Sequence, residues 1–250
     1  MDARILLIPL AGIAVGLLST SADAQGRRGP GGTSGDGCIF DGIEVTPLSD
    51  QEAQDILYMR EEEKLARDVY RTMFDLWEVP TFFKISESEQ RHMDALGRLI
   101  VRYELEDPVV DDTEGVFSNP VFVELYGQLV EAGSASMVDA LKVGALIEEL
   151  DIVDLREALA QTDHADLQRV YENLMRGSRN HLRAFAALIT AAGETYEAQH
   201  LTQAEFDEIA ASSTERGKDR RNGKCRGKRG VRGNSDVPGL QRGQRARRGR

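Results

Sequence analysis

Between Leu48 and Ala211 apolar residues recur at intervals of three and four, the period of helices that bury one face. In the first such run, from about Gln51 to Trp77, the stripe is Tyr58, Leu65, Ala66, Val69, Met73 and Leu76. A capping-box pattern, Ser49-Asp50-Gln51-Glu52, opens it and Pro80 closes it. A second helix is predicted from about Thr81 to Tyr103, with Phe82, Ile85, Leu96, Leu99, Ile100 and Tyr103 on one face. Asp107-Pro108 then ends that element. The third spans about Ser134 to Ala160 and carries Met137, Leu141, Ala145, Ile152, Leu155 and Leu159. After a turn near Thr162–Ala165, the fourth runs from about Asp166 to Ala192, where Leu167, Val170, Leu174, Phe185 and Leu188 share a face and Gly193 is a stop signal. No strand-like alternation of useful length occurs. Short links make each helix pair antiparallel, whereas Val109–Gly133, with a short helix near Pro120–Val130, is long enough to run the length of a bundle. The expected fold is all-α: a four-helix bundle with one long crossover between helix pairs.

Polar groups interrupt each stripe near its middle: Glu62 in the first helix, Glu89 and His92 in the second, Glu148 in the third, and His181, with Ser178, in the fourth. A polar group turned into a core costs several kcal/mol unless it is satisfied. Residues three apart share a helix face, so Glu89-Gln90-Arg91-His92 aims a carboxylate and an imidazole at one point. Such oxygen and nitrogen donors suit iron or manganese. Simpler readings exist for each residue alone. Glu62 and Glu63 sit in a charged cluster that would serve as a solvated face. Glu89 fits a Ser86-x-x-Glu89 capping box, Glu148 fits an ion pair with Arg91 or Arg183, and either histidine fits a satisfied core position. Their coincidence at the centre of four stripes points instead to a metal, with Glu62, Glu89, His92, Glu148 and His181 as candidate ligands. Glu61 points away from the stripe, Glu63 lies at its edge and Glu149 lies to one side, the last two being spare carboxylates. His164 and His200 take no role.

Charge and composition set off the ends of the chain. Residues 1–24 have Arg4, an apolar run from Ile5 to Leu18 and the small-residue sequence Ala22-Asp23-Ala24, the pattern of a signal peptide cleaved on export; a retained anchor is the alternative. Residues 25–47 form a Gly-rich leader expected to be flexible. Residues 216–250 hold 14 of the 31 Lys and Arg but only two of the 42 acids, a net +12 beside −23 for the remainder. A disordered, basic RG-rich tail over 212–250 is therefore expected, suited to anionic envelope polymers, lipid headgroups or a phosphate backbone. Without aromatic residues it offers no base stacking. The two cysteines, Cys38 and Cys225, are too few for a CxxC-type zinc site. Export would permit a disulfide between them, although their spacing does not indicate one.

Four segments carry a family resemblance: Met59-Arg60-Glu61-Glu62-Glu63-Lys64-Leu65-Ala66, Ser88-Glu89-Gln90-Arg91-His92-Met93-Asp94-Ala95, Val143-Gly144-Ala145-Leu146-Ile147-Glu148-Glu149-Leu150-Asp151, and Gly177-Ser178-Arg179-Asn180-His181-Leu182-Arg183-Ala184-Phe185. In order and spacing they resemble the ferritin-like superfamily and, within it, the DUF2202 family. That resemblance implies a carboxylate-bridged centre of two iron (or manganese) ions, with oxygen or peroxide as substrate in a ferroxidase or peroxidase type of reaction. Where the two-metal pattern has a glutamate before the last histidine, this chain has Ser178, leaving three carboxylates and two imidazoles. Two metals could still bind, with water or Ser178 filling the vacancy; one metal, or none, with the bundle held by polar core networks, is also compatible with these residues. No rubredoxin-like cysteine site is present, so an electron donor would be a separate protein or molecule, and a homodimer stays open. A different class is also compatible: a non-catalytic metal-binding or scaffold protein anchored through its basic tail.

Overall fold

The computed structural model describes residues 40–217. The expected signal peptide, most of the Gly-rich leader, most of the basic tail and both cysteines lie outside the described residues. All regular structure within them is helical: α1 (Asp50–Trp77), α2 (Pro80–Arg102), α3 (Pro120–Gly133), α4 (Met137–Gln161), α5 (Ala165–Ala191) and α6 (Gln203–Ala211).

Local chemistry accounts for the ends. At α1 both halves of the capping box form: Ser49 Oγ accepts the Glu52 amide at 3.2 Å, and the Glu52 carboxylate accepts the Ser49 amide at 2.8 Å. Glu78 leaves α1 in the left-handed conformation, and Pro80, which lacks an amide proton, starts α2. Asn119 and Ser136 cap α3 and α4 through their side-chain oxygens. The helix α6, absent from the periodicity reading, starts at a second capping box, Thr202-Gln203-Ala204-Glu205. That motif was legible; the apolar stripe was not, because only Phe206 of α6 is buried.

The four long helices form the bundle. Thr162 Oγ1 donates to Glu52 at one end, and Trp77 Nε1 donates to the Gly133 carbonyl at the other, so α1 and α4 run antiparallel. Arg102 pairs with Asp166 at 2.7 Å, and the Phe82 and Phe185 rings meet at 5.5 Å at the opposite end, so α2 and α5 do the same. The link from α2 to α4 must then travel the whole length of the bundle, as expected. It carries α3, which packs on α1 and α4.

Buried charges hold this crossover to α1. Lys64 Nζ donates to Asp68 at 2.5 Å and to the Thr113 carbonyl at 2.8 Å. Arg67 donates to Asp112 and Gln90, and Glu61 accepts the backbone amides of Ser118 and Asn119. The charged run in α1 is thus covered by chain rather than forming a solvated face. On the other side, Glu149 Oε2 accepts the amides of Gln199, His200 and Leu201, seating the segment that leads to α6. Glu215 takes paired hydrogen bonds from Arg179 and another from Arg183, docking the segment after α6 on α5.

Along the bundle axis the inward residues alternate at spacings of three and four, as in coiled-coil seams. They are Ile56, Met59, Glu63, Ala66, Tyr70 and Met73 in α1, and Phe82, Ile85, Glu89, His92, Leu96 and Leu99 in α2. In α4 they are Leu141, Gly144, Glu148, Asp151, Leu155 and Ala158, and in α5 Tyr171, Leu174, Ser178, His181 and Phe185. The apolar members form two separate clusters, one around Phe82, Phe185, Tyr70 and Leu141, the other around Ile56, Leu96, Leu155 and Leu174. Between them lies a layer of acids and imidazoles.

Candidate metal centre

Glu89 lies at the middle of that layer, with no solvent exposure. Its two oxygens face two imidazoles: Oε2 is 2.7 Å from His92 Nδ1, and Oε1 is 2.8 Å from His181 Nδ1. Neither approach has hydrogen-bonding geometry, and Glu89 Oε1, Glu89 Oε2, Glu148 Oε2 and His181 Nδ1 all lack a hydrogen-bond partner. These close approaches gather carboxylate oxygens and imidazole nitrogens from different helices around common points. Two groups result, Glu63 with Glu89 and His92, and Glu89 with Glu148 and His181. In each, one ligand-type atom per residue lies within 4.8 Å of the others. Glu89 belongs to both.

Neighbouring groups set the orientations. His92 Nδ1 donates to Glu63 Oε2 at 3.1 Å. The Tyr70 hydroxyl donates to Glu148 Oε1 at 2.6 Å, and burial pushes its own pKa far up, so it stays a donor. A Cβ on Gly177 would fall 2.5 Å from Cε1 and Nε2 of His92; the absent side chain is what leaves room for that ring.

The electrostatics are those of a site that wants cations. Burial penalises the charge on Glu89, but His181 and His92 outweigh it and hold the carboxyl well below the usual range. Burial likewise opposes the imidazolium of His181, yet Glu89 and Glu148 prevail and raise it to about 10. His92 is raised well above its ordinary value against the same opposition, mainly by Glu63 and Glu89. Desolvation lifts Glu63 to about 7 and also raises Glu148. Protons on the two imidazoles therefore offset the negative charge of the buried carboxylates around them.

Of the five residues expected from the sequence, four meet here: Glu89, His92, Glu148 and His181. Glu62 does not. It lies outside both groups and shares a carboxyl–carboxyl hydrogen bond with Asp154, its pKa raised by burial and then by that neighbour. Glu63 takes the central place. The face of α1 that meets the other long helices lies about one residue round from the apolar stripe, because α1 is also packed on its outer side. The Tyr58 ring packs at a tilt against Phe122 of the crossover helix, while Leu76, counted in the stripe, is 50% exposed. A helix wrapped on several sides gives a blurred periodicity.

The other simple readings also fail on geometry. Ser86 donates to the Phe83 carbonyl, and α2 begins at Pro80, so Glu89 is not a capping residue. Arg183 is taken by Glu215, Asn180 and Ser212, and Arg91 is exposed. Glu149 is a backbone clamp, not a spare ligand. Asp151, one turn beyond Glu148 and not among the residues expected, is buried without a hydrogen bond to either oxygen. Its i, i+3 spacing from Glu148 was the available signal.

Fold and centre together define an all-α bundle protein with a carboxylate–histidine layer at mid-height. Residues 52–213 match the DUF2202 family, described as an uncharacterized protein domain, and the chain belongs to that family. It is 53% identical over 174 residues to the uncharacterized protein MJ0754 of Methanocaldococcus jannaschii, covering 70% of this chain and 94% of that one. The crystal structure of hypothetical protein MJ0754 has the same fold, with a TM-score of 0.68 at 51% identity over 70% of this chain and 100% of that chain.

Two predictions come from the centre. A group held above its ordinary pKa binds its proton more tightly in the folded than in the unfolded chain. Its stabilising contribution is complete below the unfolded value and is lost as pH rises through the folded one. For Glu63 that window runs from 4.5 to about 7, and for His181 from 6.5 to about 10. The metal-free protein is therefore expected to lose thermal stability steadily as pH rises across these windows; a flat or rising Tm in the same range counts against the arrangement. Gly177→Ala is expected to displace the His92 ring and weaken metal uptake with the helical circular dichroism unchanged. Metal titration and far-ultraviolet spectra of that variant check both halves.

Proposed function

We propose that the protein is an exported, ferritin-like metalloprotein that holds two iron (or manganese) ions in the bundle. Glu63, Glu89 and His92 would hold one, and Glu89, Glu148 and His181 the other, with Glu63 in the role first expected of Glu62. The observation that carries this reading is Glu89, a fully buried carboxylate with no hydrogen bond, each of whose oxygens belongs to a separate three-residue donor group. A carboxylate shared in this way is the bridging element of two-metal helical bundles.

Such ions supply redox chemistry toward oxygen or peroxide, as in ferrous oxidation or peroxide removal. The protein's own groups do the rest. His92 and His181 give up protons at Nδ1 when cations enter, Tyr70 fixes the Glu148 carboxylate, and the two apolar clusters keep bulk water from both ends of the layer. Electrons for repeated turnover come from a separate donor. The basic segment 216–250 suggests a second role, attachment to anionic envelope polymers or lipid headgroups, supported by its net charge of +12.

The decisive measurement is elemental analysis of protein purified without a metal-affinity tag, beside a Glu89→Ala/His92→Ala variant. The expected result is close to two iron or manganese ions per chain, lost in the variant. No metal in either sample, with no stabilisation on adding iron, removes the redox reading. Deletion of 216–250 is expected to leave metal content unchanged and to abolish retention on an anionic column at low salt; unchanged retention defeats the attachment role.

A further inference from the structure

The seam positions at mid-bundle come in pairs one turn apart: Glu89 and His92 in α2, Glu148 and Asp151 in α4, Ser178 and His181 in α5. The two-metal pattern calls for Glu-x-x-His on two helices and a single Glu on each of the others, four carboxylates in all. Ser178 breaks that pattern. Its hydroxyl is fully buried and donates to the Leu174 carbonyl of its own helix at 3.2 Å, so its proton is committed to the helix backbone. Asp151, by contrast, is 2% exposed and neither Oδ1 nor Oδ2 has a hydrogen-bond partner.

A structural acid in this bundle is normally pinned. Glu61 and Glu149 hold backbone amides, and Asp68 holds Lys64 and Arg67. Asp151 accepts no hydrogen bond, and after burial itself the neighbouring charges that weigh most on it are those of Glu63, Glu62, Glu148 and Glu89, all acids. A buried carboxyl group among acids, with no donor, destabilises a fold unless something positive joins it.

We propose that Asp151 is a further metal ligand, supplying from α4 the fourth carboxylate that Ser178 does not supply from α5. The donor set is then Glu63, Glu89, Glu148 and Asp151 with His92 and His181, the same four oxygen-donor and two imidazole residues as the two-metal pattern, with one carboxylate relocated to the neighbouring helix. This inference rests on the two-ion reading above. It goes beyond it in naming a residue outside both close donor groups and in accounting for the missing glutamate. The hard oxygen donors suit iron(II) or manganese(II) over softer cations.

The test compares the full chain with Asp151→Asn and Asp151→Leu variants. Each metal-free protein is titrated with cobalt(II), whose visible absorption reports its donor atoms, and then anaerobically with iron(II), with stoichiometry from calorimetry. Thermal unfolding of each metal-free sample is run alongside. The expected result is two ions per unaltered chain and, in both variants, loss of one ion or weakening of its binding by about tenfold or more, with an altered cobalt spectrum. The metal-free variants should unfold at a temperature equal to or above that of the unaltered chain, since an unpartnered acid has gone. That combination separates a ligand from a structural residue, whose loss lowers the unfolding temperature. Two ions bound with unchanged affinity and spectrum in Asp151→Asn overturn the role of Asp151 and leave the two-ion reading standing. No ion bound by the unaltered chain overturns both. A lowered unfolding temperature in both metal-free variants, with metal binding intact, assigns Asp151 to the fold and overturns the proposal.

Discussion

Glu89 sits fully buried between His92 and His181, and the rest of the bundle answers the electrostatic demand this creates. A carboxylate in a low-dielectric core is tolerated only beside positive charge, and the two imidazoles provide it by taking protons in the metal-free state. Those imidazoles in turn need Glu63 and Glu148 on their outer sides. The demand thus spreads across all four helices and fixes their mutual register: a one-residue slip of any helix would turn its acid or imidazole onto a neighbour's apolar surface.

The same constraint explains why the core is divided. A single continuous apolar core would bury more area, yet here two clusters stand above and below a polar layer. Such a layer is weak evidence for stability, since replacing buried ions with well-packed apolar groups is often neutral or favourable. The proposed metal centre accounts for its presence better than any gain in folding does. Glu89, Asp151 and His181, with buried atoms that make no hydrogen bond, are the expression of that trade between stability and site chemistry.

Around this layer the crossover and the C-terminal segment act as a jacket. Lys64, Arg67 and Glu61 fasten residues 107–119 to α1, while Glu149 fastens 199–201 to α4. These contacts bury the mid-section of α1 from Glu61 to Tyr70 and of α4 from Val143 to Ile152 on every side. They shield the centre from water at the two helices that would otherwise face solvent, and they leave α2 and α5, with stronger one-sided patterns, as the helices whose sequences read most simply.

That difference marks the boundary of what the sequence by itself determined. The four long helices, their antiparallel pairing and the long crossover were legible because caps, prolines and a three-to-four spacing act locally. Glu89, His92 and His181 were legible because α2 and α5 each bury one face, and Glu148 because it sits midway along the stripe of α4. Only the tertiary structure decided between Glu62 and Glu63, since α1 is buried all round and its hydrophobic stripe no longer points to the axis. Asp151 was hidden for a related reason: its unpartnered state exists only once α1, α2 and α4 have closed around it. The helix α6 was hidden because a short, mostly polar element is held by a capping box and by the surface it lands on, and that surface is assembled from residues far away in the chain.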